Sequence, residues 1–169
     1  MFYLYLFLIA LFSLIIQSSP LLDSVRIMGL KPNFILPLVV YCGYRLGKMR
    51  GIFLGLILGG VQEIICSDHL GIMTLSYGLI GGTAGLATKQ VISESWLSFI
   101  VGTFIASLLE GILINFVSLR NYFWSNLWLI TLPGSIYNLI SATVLFWLLH
   151  RIPKGTNAVK FEEYQTSEE

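Results

Sequence analysis

Long apolar runs separated by short polar turns dominate the chain, and this alternation predicts membrane-spanning helices. A helix needs about 20 mainly apolar residues, at a rise of about 1.5 Å each, to cross the hydrocarbon core of a bilayer. The apolar runs cover residues 2–16, 34–45, 51–66, 71–88, 95–119 and 127–149. We therefore expect an all-α membrane protein whose residues 1–152 form a compact bundle of about six transmembrane helices. The polar stretch 153–169 is predicted to be a disordered cytoplasmic tail.

Composition agrees with lipid as the main solvent of the chain. Of the 169 residues, 56% are hydrophobic and 11% are charged, whereas soluble domains carry about 25% charged residues. The net charge of +1 gives no indication of a nucleic-acid surface. Cys42 and Cys66 both lie in apolar runs, which predicts buried thiols rather than a disulfide. The first run lacks a basic start and a small-residue cleavage site, so we expect a retained helix.

The distribution of basic residues predicts the orientation. Basic residues concentrate in cytoplasmic loops of membrane proteins. With a cytoplasmic amino terminus, the inner side receives Arg45, Lys48, Arg50, Lys89, Arg151, Lys154 and Lys160, and the outer side receives Arg26, Lys31 and Arg120. An even number of spans then places both termini in the cytoplasm.

Small residues recur at a helical spacing in the third span. Gly47, Gly51, Gly55 and Gly59 are four residues apart, and Glu63 continues the row. Residues at this spacing share one helix face, and glycines let a second backbone approach closely in lipid. The row therefore predicts a close helix contact that ends in a carboxyl group.

Two other spans repeat this pattern. The fifth carries Ser98, Gly102, Ala106 and Glu110 at the same spacing. The fourth carries the pairs Gly78 with Gly82 and Gly81 with Gly85, which add further packing positions. We expect these helices to pack on one another with little lipid between them.

Glu63 and Glu110 fall at membrane depth, where an acidic side chain costs about 2.5 kcal/mol or more. Nearby polar residues that could contact them are Gln62, Asn115, Tyr137 and Asn138. Two interpretations remain open: interhelical hydrogen bonds that fix the bundle, or a polar groove for a partner helix or small ligand. The two are compatible with each other.

Catalytic motifs are missing, so an enzyme is the least supported class and no cofactor is expected. The glycine-rich stretches lack the lysine and hydroxyl residue of a nucleotide-binding loop. Cys66, Asp68 and His69 are close in sequence, but an interfacial turn explains them more simply than a metal site. We expect Ser76 and Tyr77 to have no nearby base, which argues against nucleophilic catalysis.

From residue 31 to residue 86 the sequence resembles MreD, a small polytopic membrane protein family of the bacterial rod-shape system. A Pro-Asn pair opens the second span, a glycine helix ends in Gln-Glu, and a Leu-Gly opens the next span. The matching positions are Pro32, Asn33, Gly55, Gly59, Glu63, Gly71 and Pro133. The family usually has Asp where this chain has Glu63.

The resemblance implies a non-enzymatic scaffold in the bacterial inner membrane. Its expected partner is an MreC-like bitopic protein, within a complex that also holds a transpeptidase, a glycosyltransferase and, indirectly, MreB filaments. Partner binding or helix packing is assigned to Gly51, Gly55, Gly59, Gln62, Glu63, Gly102, Ala106 and Glu110. A structural role is assigned to Pro32, Asn33, Gly71 and Pro133.

A second function also follows from a resemblance. MreD folds resemble the six-helix substrate-binding subunits of energy-coupling-factor vitamin transporters, which work with an ATPase module. Those subunits present a small-residue surface on their first helix, whereas here bulky side chains such as Phe7 and Phe12 surround Ala10. This departure makes transport the weaker hypothesis.

Overall fold

The computed structural model of the chain is helical throughout its described residues, which are 2–19, 31–66, 71–91, 96–117 and 123–150. The helices are α1 Phe2–Ser18, α2 Ile35–Leu46, α3 Lys48–Cys66, α4 Ile72–Val91, α5 Trp96–Val117, α6 Phe123–Asn126 and α7 Leu132–His150. A π-helical turn, Leu127–Thr131, joins α6 to α7. The described residues contain no strand, so the predicted all-α class is confirmed. The predicted tail 153–169 lies outside them.

Each predicted apolar span overlaps one of the six longer helices, but these helices differ in length. In the described part of the chain, Trp96–Phe116 and Leu127–Leu149 are long and apolar enough to cross a membrane. Leu4–Ser18, Ile35–Leu46 and Ile72–Ala87 are apolar but shorter. Six complete crossings therefore stay a prediction.

The short helix α2 occupies the centre of the bundle. Residues 35–43 are all buried, because α2 contacts α1, α3, α4, α5 and α7. A helix that is apolar on every face suits such a position. At its start, the Asn33 side-chain oxygen accepts hydrogen bonds from the backbone N–H groups of Ile35 and Leu36, at 3.0 and 3.2 Å. These bonds satisfy two of the free donors at the helix amino terminus.

Gly47 forms the turn that ends α2. Its φ of +82° belongs to the left-handed region, which favours glycine because a Cβ is disfavoured there. Its N–H donates to the Gly43 carbonyl at 3.1 Å, and α3 starts at the next residue. The predicted row of glycines on one face is therefore corrected at this position, since Gly47 precedes the helix that carries Gly51.

Glycines hold α2, α3 and α4 at backbone contact. A Cβ added to Gly51 or Gly55 would overlap the carbonyl oxygen of Gly81 or Tyr77 on α4. One added to Gly59 would lie 2.8 Å from the Met73 carbonyl oxygen. Such approach distances leave no room for a methyl group. The glycine row of α3 thus packs against α4 within the same chain.

The small residues of α5 face the interior in a similar way. Ala106 is buried, and a Cβ at Gly102 would overlap the hydroxyl group of Tyr44 from the end of α2. Glu110 continues this face and is also buried. The row therefore places a carboxyl group inside the bundle.

The π-helical turn precedes Pro133, the second residue of α7. Proline lacks an N–H group, so it cannot make the backbone hydrogen bond that would continue a regular helix through this point. A π-helical turn is one way in which a helix accommodates such an interruption. It brings Thr131 to a buried position beside Gly111 of α5.

Candidate functional site

Glu63 caps the amino terminus of α4 from the end of α3. Its carboxylate accepts hydrogen bonds from the backbone N–H groups of Met73 and Thr74, at 3.2 and 3.4 Å, and from the Thr74 hydroxyl at 2.6 Å. Gly71, with φ +104°, provides the turn directly before α4. A carboxylate at this place pairs with free donors and with the positive end of the helix dipole. Glu63 thereby joins two helices.

Glu110 belongs to the second half of α5 and lies in a separate buried position, where it faces α4. Its Oε1 atom accepts a hydrogen bond from the Tyr77 hydroxyl at 2.9 Å and a longer one from the Asn33 side-chain amide at 3.3 Å. The same amide also donates to the Tyr77 hydroxyl oxygen. Both groups that donate to Glu110 are uncharged.

Asn33 connects this carboxylate to α5 and α7. Its backbone N–H donates to the Asn138 side-chain oxygen at 2.8 Å, and its carbonyl oxygen accepts from the Ser141 hydroxyl at 2.8 Å. The Asn138 amide in turn donates to the Ser107 hydroxyl at 2.8 Å. We call this set, Asn33, Tyr77, Ser107, Glu110, Asn138 and Ser141, the Asn33 network. It links four parts of the chain that are distant in sequence.

A cavity of about 400 Å³ lies beside the network, at the end of the bundle where α3 ends and α7 begins. We call it the polar cavity. The polar residues that line it include Gln17, Lys31, Gln62, Glu110, Asn115 and Asn138. Gln62 is only 3% exposed, and its side-chain oxygen has no hydrogen-bond partner in the described structure. Buried polar atoms are normally paired. This oxygen is therefore an unused acceptor.

Comparison with known proteins gives one family. A family model described as rod shape-determining protein MreD matches residues 1–152 of the 169-residue chain. The chain belongs to the MreD family. This is a membrane protein family of rod-shape determination and is not known as an enzymatic one. The chain has no significant match among the curated proteins or the solved structures with which it was compared.

The predicted site residues of this MreD-family chain fall in four places. Gln62 and Glu110 line the polar cavity, whereas Glu63 caps α4. The glycines of α3 lie in the contact with α4, and Gly102 and Ala106 pack inside the bundle. Residues predicted to be structural lie at element starts: Pro32 and Asn33 before α2, Gly71 before α4 and Pro133 in α7.

One expectation about chemistry is wrong. Tyr77 was predicted to have no base nearby, yet its hydroxyl donates to the Glu110 carboxylate. The two residues are 33 positions apart, so only the packing of α4 on α5 brings them together. Tyr77 is fully buried, so its hydrogen bond to Glu110 lies in the interior of the bundle.

Other members of the Asn33 network and the Glu63 cap were not singled out from the sequence. Thr74, Ser107 and Ser141 are single hydroxyl residues in apolar runs, where a hydroxyl often bonds to its own helix. Among the polar residues expected near the glutamates, Asn138 joins the network, and Asn115 bonds to the Thr131 hydroxyl at 3.0 Å. The described residues contain no cluster of metal-ligating side chains; Asp68 and His69 lie outside them.

Proposed function

We propose that this MreD-family chain is a non-enzymatic, multi-pass scaffold of the bacterial inner membrane that binds an MreC-like bitopic protein. Through that partner it helps to organise peptidoglycan synthesis by a transpeptidase and a glycosyltransferase, with MreB filaments as indirect partners. Family membership over residues 1–152 is the observation that carries this proposal. In it, residues 1–152 form a six-span domain and residues 153–169 a cytoplasmic tail.

The outer surface of the bundle supports a membrane environment. Large apolar side chains are exposed along α1, α4, α5 and α7, including Phe7, Leu79 and Phe116. Trp124 and Trp128 lie at one end of the final span and Trp147 near the other, and all three are exposed. Tryptophan favours both interfaces of a bilayer, so this placement suits a segment that crosses one.

The partner helix is proposed to dock in a groove between α3 and α4. The glycine face of α3 is filled by α4, so a different surface must serve the partner. A largely apolar groove of about 350 Å³, which we call the α3–α4 groove, lies between these two helices. It is lined by Lys48, Ile52, Leu56, Leu75, Gly78, Leu79, Gly82, Thr83 and Leu86. Its stretch of α4, residues 75–86, spans about 16 Å. Small residues beside exposed leucines suit close helix packing in lipid.

The test is a crosslinked pull-down of the tagged chain from its native membrane, read by mass spectrometry. Leu79→Trp fills the α3–α4 groove, and Ile140→Trp places the same bulk on α7; both positions are 59% exposed. We expect Leu79→Trp to reduce recovery of a bitopic coiled-coil protein about tenfold, equivalent to about 1.4 kcal/mol. Ile140→Trp should leave recovery unchanged.

Two results would contradict the proposal. Equal recovery with both variants, at equal expression, would remove the α3–α4 groove as the docking surface. Recovery of an ATPase with a coupling subunit, in place of a bitopic protein and a cell-wall transpeptidase, would favour transport over a scaffold.

A further inference from the structure

The polar cavity has features that helix packing alone leaves unexplained. A volume of about 400 Å³ falls within the range of about 300 to 1,000 Å³ that small-molecule sites occupy. The hydrogen bonds of the Asn33 network join its members to one another, so these bonds do not require the adjoining space.

Unused acceptors in the cavity call for a donor. The Gln62 side-chain oxygen has no partner in the described structure. Within the described ranges, the two side-chain hydrogen bonds of Asn115 use its amide nitrogen, so its oxygen can accept another. In the same part of the chain, the two hydrogen bonds to Glu110 fall on Oε1, so Oε2 can also accept one. An occupant that carries several N–H groups would complement these atoms.

The Glu110 carboxylate favours an occupant that carries a positive charge. Glu110 is 7% exposed, and its donors are a phenol and an amide. A buried carboxylate is stabilised by a cationic partner that also donates hydrogen bonds.

We infer that the polar cavity binds a molecule with a primary ammonium group, which donates to Glu110 and Gln62. A phospholipid headgroup and a water-soluble amine share this chemistry. The inference concerns the isolated chain and does not depend on the partner proposed above.

Binding is measured on the purified full chain in nanodiscs of phosphatidylglycerol. The probes are phosphatidylethanolamine, phosphatidylcholine, whose quaternary nitrogen has no N–H, and soluble glycerophosphoethanolamine. Native mass spectrometry counts retained probe molecules, and thermal melting reports stabilisation. We expect phosphatidylethanolamine or glycerophosphoethanolamine to bind at least about tenfold more tightly than phosphatidylcholine, since only they can donate to the acceptors.

Variants connect this selectivity to the cavity. Glu110→Gln keeps the side-chain shape but removes the charge. Gln62→Leu removes the oxygen that has no partner, together with the side-chain amide group that hydrogen-bonds to Tyr77. Both should lose the selectivity for the ammonium probes. Thr143→Val, an exposed position on α7 outside the cavity, should retain it.

The binding measurements on the native chain and its variants have these possible outcomes. Selectivity for phosphatidylethanolamine alone supports a lipid headgroup as the source, and selectivity for both amines supports a soluble amine. In either case, loss of selectivity is required in both Gln62→Leu and Glu110→Gln, in preparations that still melt cooperatively. Equal binding of phosphatidylcholine, no binding of any probe, or selectivity unchanged in Gln62→Leu and Glu110→Gln would overturn the ammonium site.

Discussion

At the residue scale, the two buried glutamates have different environments. The carboxylate of Glu63 receives three hydrogen bonds from the first turn of α4, whereas Glu110 receives two from side chains. The sequence predicts that both carboxyl groups lie inside the bundle, since each continues a row of small residues. It does not predict their donors, because Met73, Thr74 and Tyr77 reach them only through the packing of α4.

Replacement of the Glu63 side chain tests its role as a cap. Glu63→Ala removes all three hydrogen bonds and should lower the free energy of unfolding by about 2 kcal/mol, since loss of a helix cap or of bonds to a charged group has this size. Thermal melting in detergent measures the change. Ile64→Ala, at an exposed neighbouring position, is the control. An unchanged melting temperature for Glu63→Ala would contradict the capping role.

Tyr77→Phe tests the Asn33 network. The variant keeps the ring but removes the hydroxyl that donates to Glu110, so a buried carboxylate loses its shorter hydrogen bond. We expect a loss of about 1 to 3 kcal/mol in unfolding free energy. Ser76→Ala removes a hydroxyl that bonds only within α4 and should have a much smaller effect. Equal melting of the two variants would argue against an energetic role for the Tyr77–Glu110 bond.

At the scale of elements, the contact of α3 with α4 is the most clearly encoded feature of the fold. A spacing of four between Gly51, Gly55 and Gly59 predicts a shared face, and the structure places that face against α4. The spacing does not identify which helix fills it, because a partner protein would satisfy the same pattern. Likewise, the apolar run of α2 predicts a helix but not its burial on every side, which depends on its five neighbours.

Gly55→Ala should disrupt this contact. The added methyl group would overlap the Tyr77 carbonyl oxygen, which is backbone and cannot move aside. We expect a loss of about 1 to 3 kcal/mol, the usual size of an overpacking effect.

A matched control lies on the same helix. A Cβ at Gly60 would meet only the Thr74 hydroxyl, at an ordinary 3.5 Å, so Gly60→Ala should be neutral or more stable because alanine favours helix. Unfolding of both variants in detergent gives the comparison. Equal stability of the two would contradict close α3–α4 packing.

At the scale of the whole molecule, the family and the all-α class follow from the sequence, whereas the arrangement of surfaces does not. Ordered motifs such as Pro32-Asn33 and Gln62-Glu63 indicate MreD, and the family match over residues 1–152 confirms this. The polar cavity and the α3–α4 groove arise from residues on different helices, and no local pattern marks either one. The glycine row was an expected docking surface, and its contact with α4 moves the proposed docking surface to the α3–α4 groove.

Site-specific photocrosslinking from the α3–α4 groove tests the scaffold proposal most directly. A benzophenone amino acid replaces Leu79 in the tagged chain within its native membrane, and the same group at position 140 is the control. We predict an adduct from position 79 that maps to the transmembrane segment of a bitopic coiled-coil protein, and little or none from position 140. An adduct of equal yield from both positions, or none from position 79 while the bitopic protein is still recovered with the chain, would contradict docking in the groove.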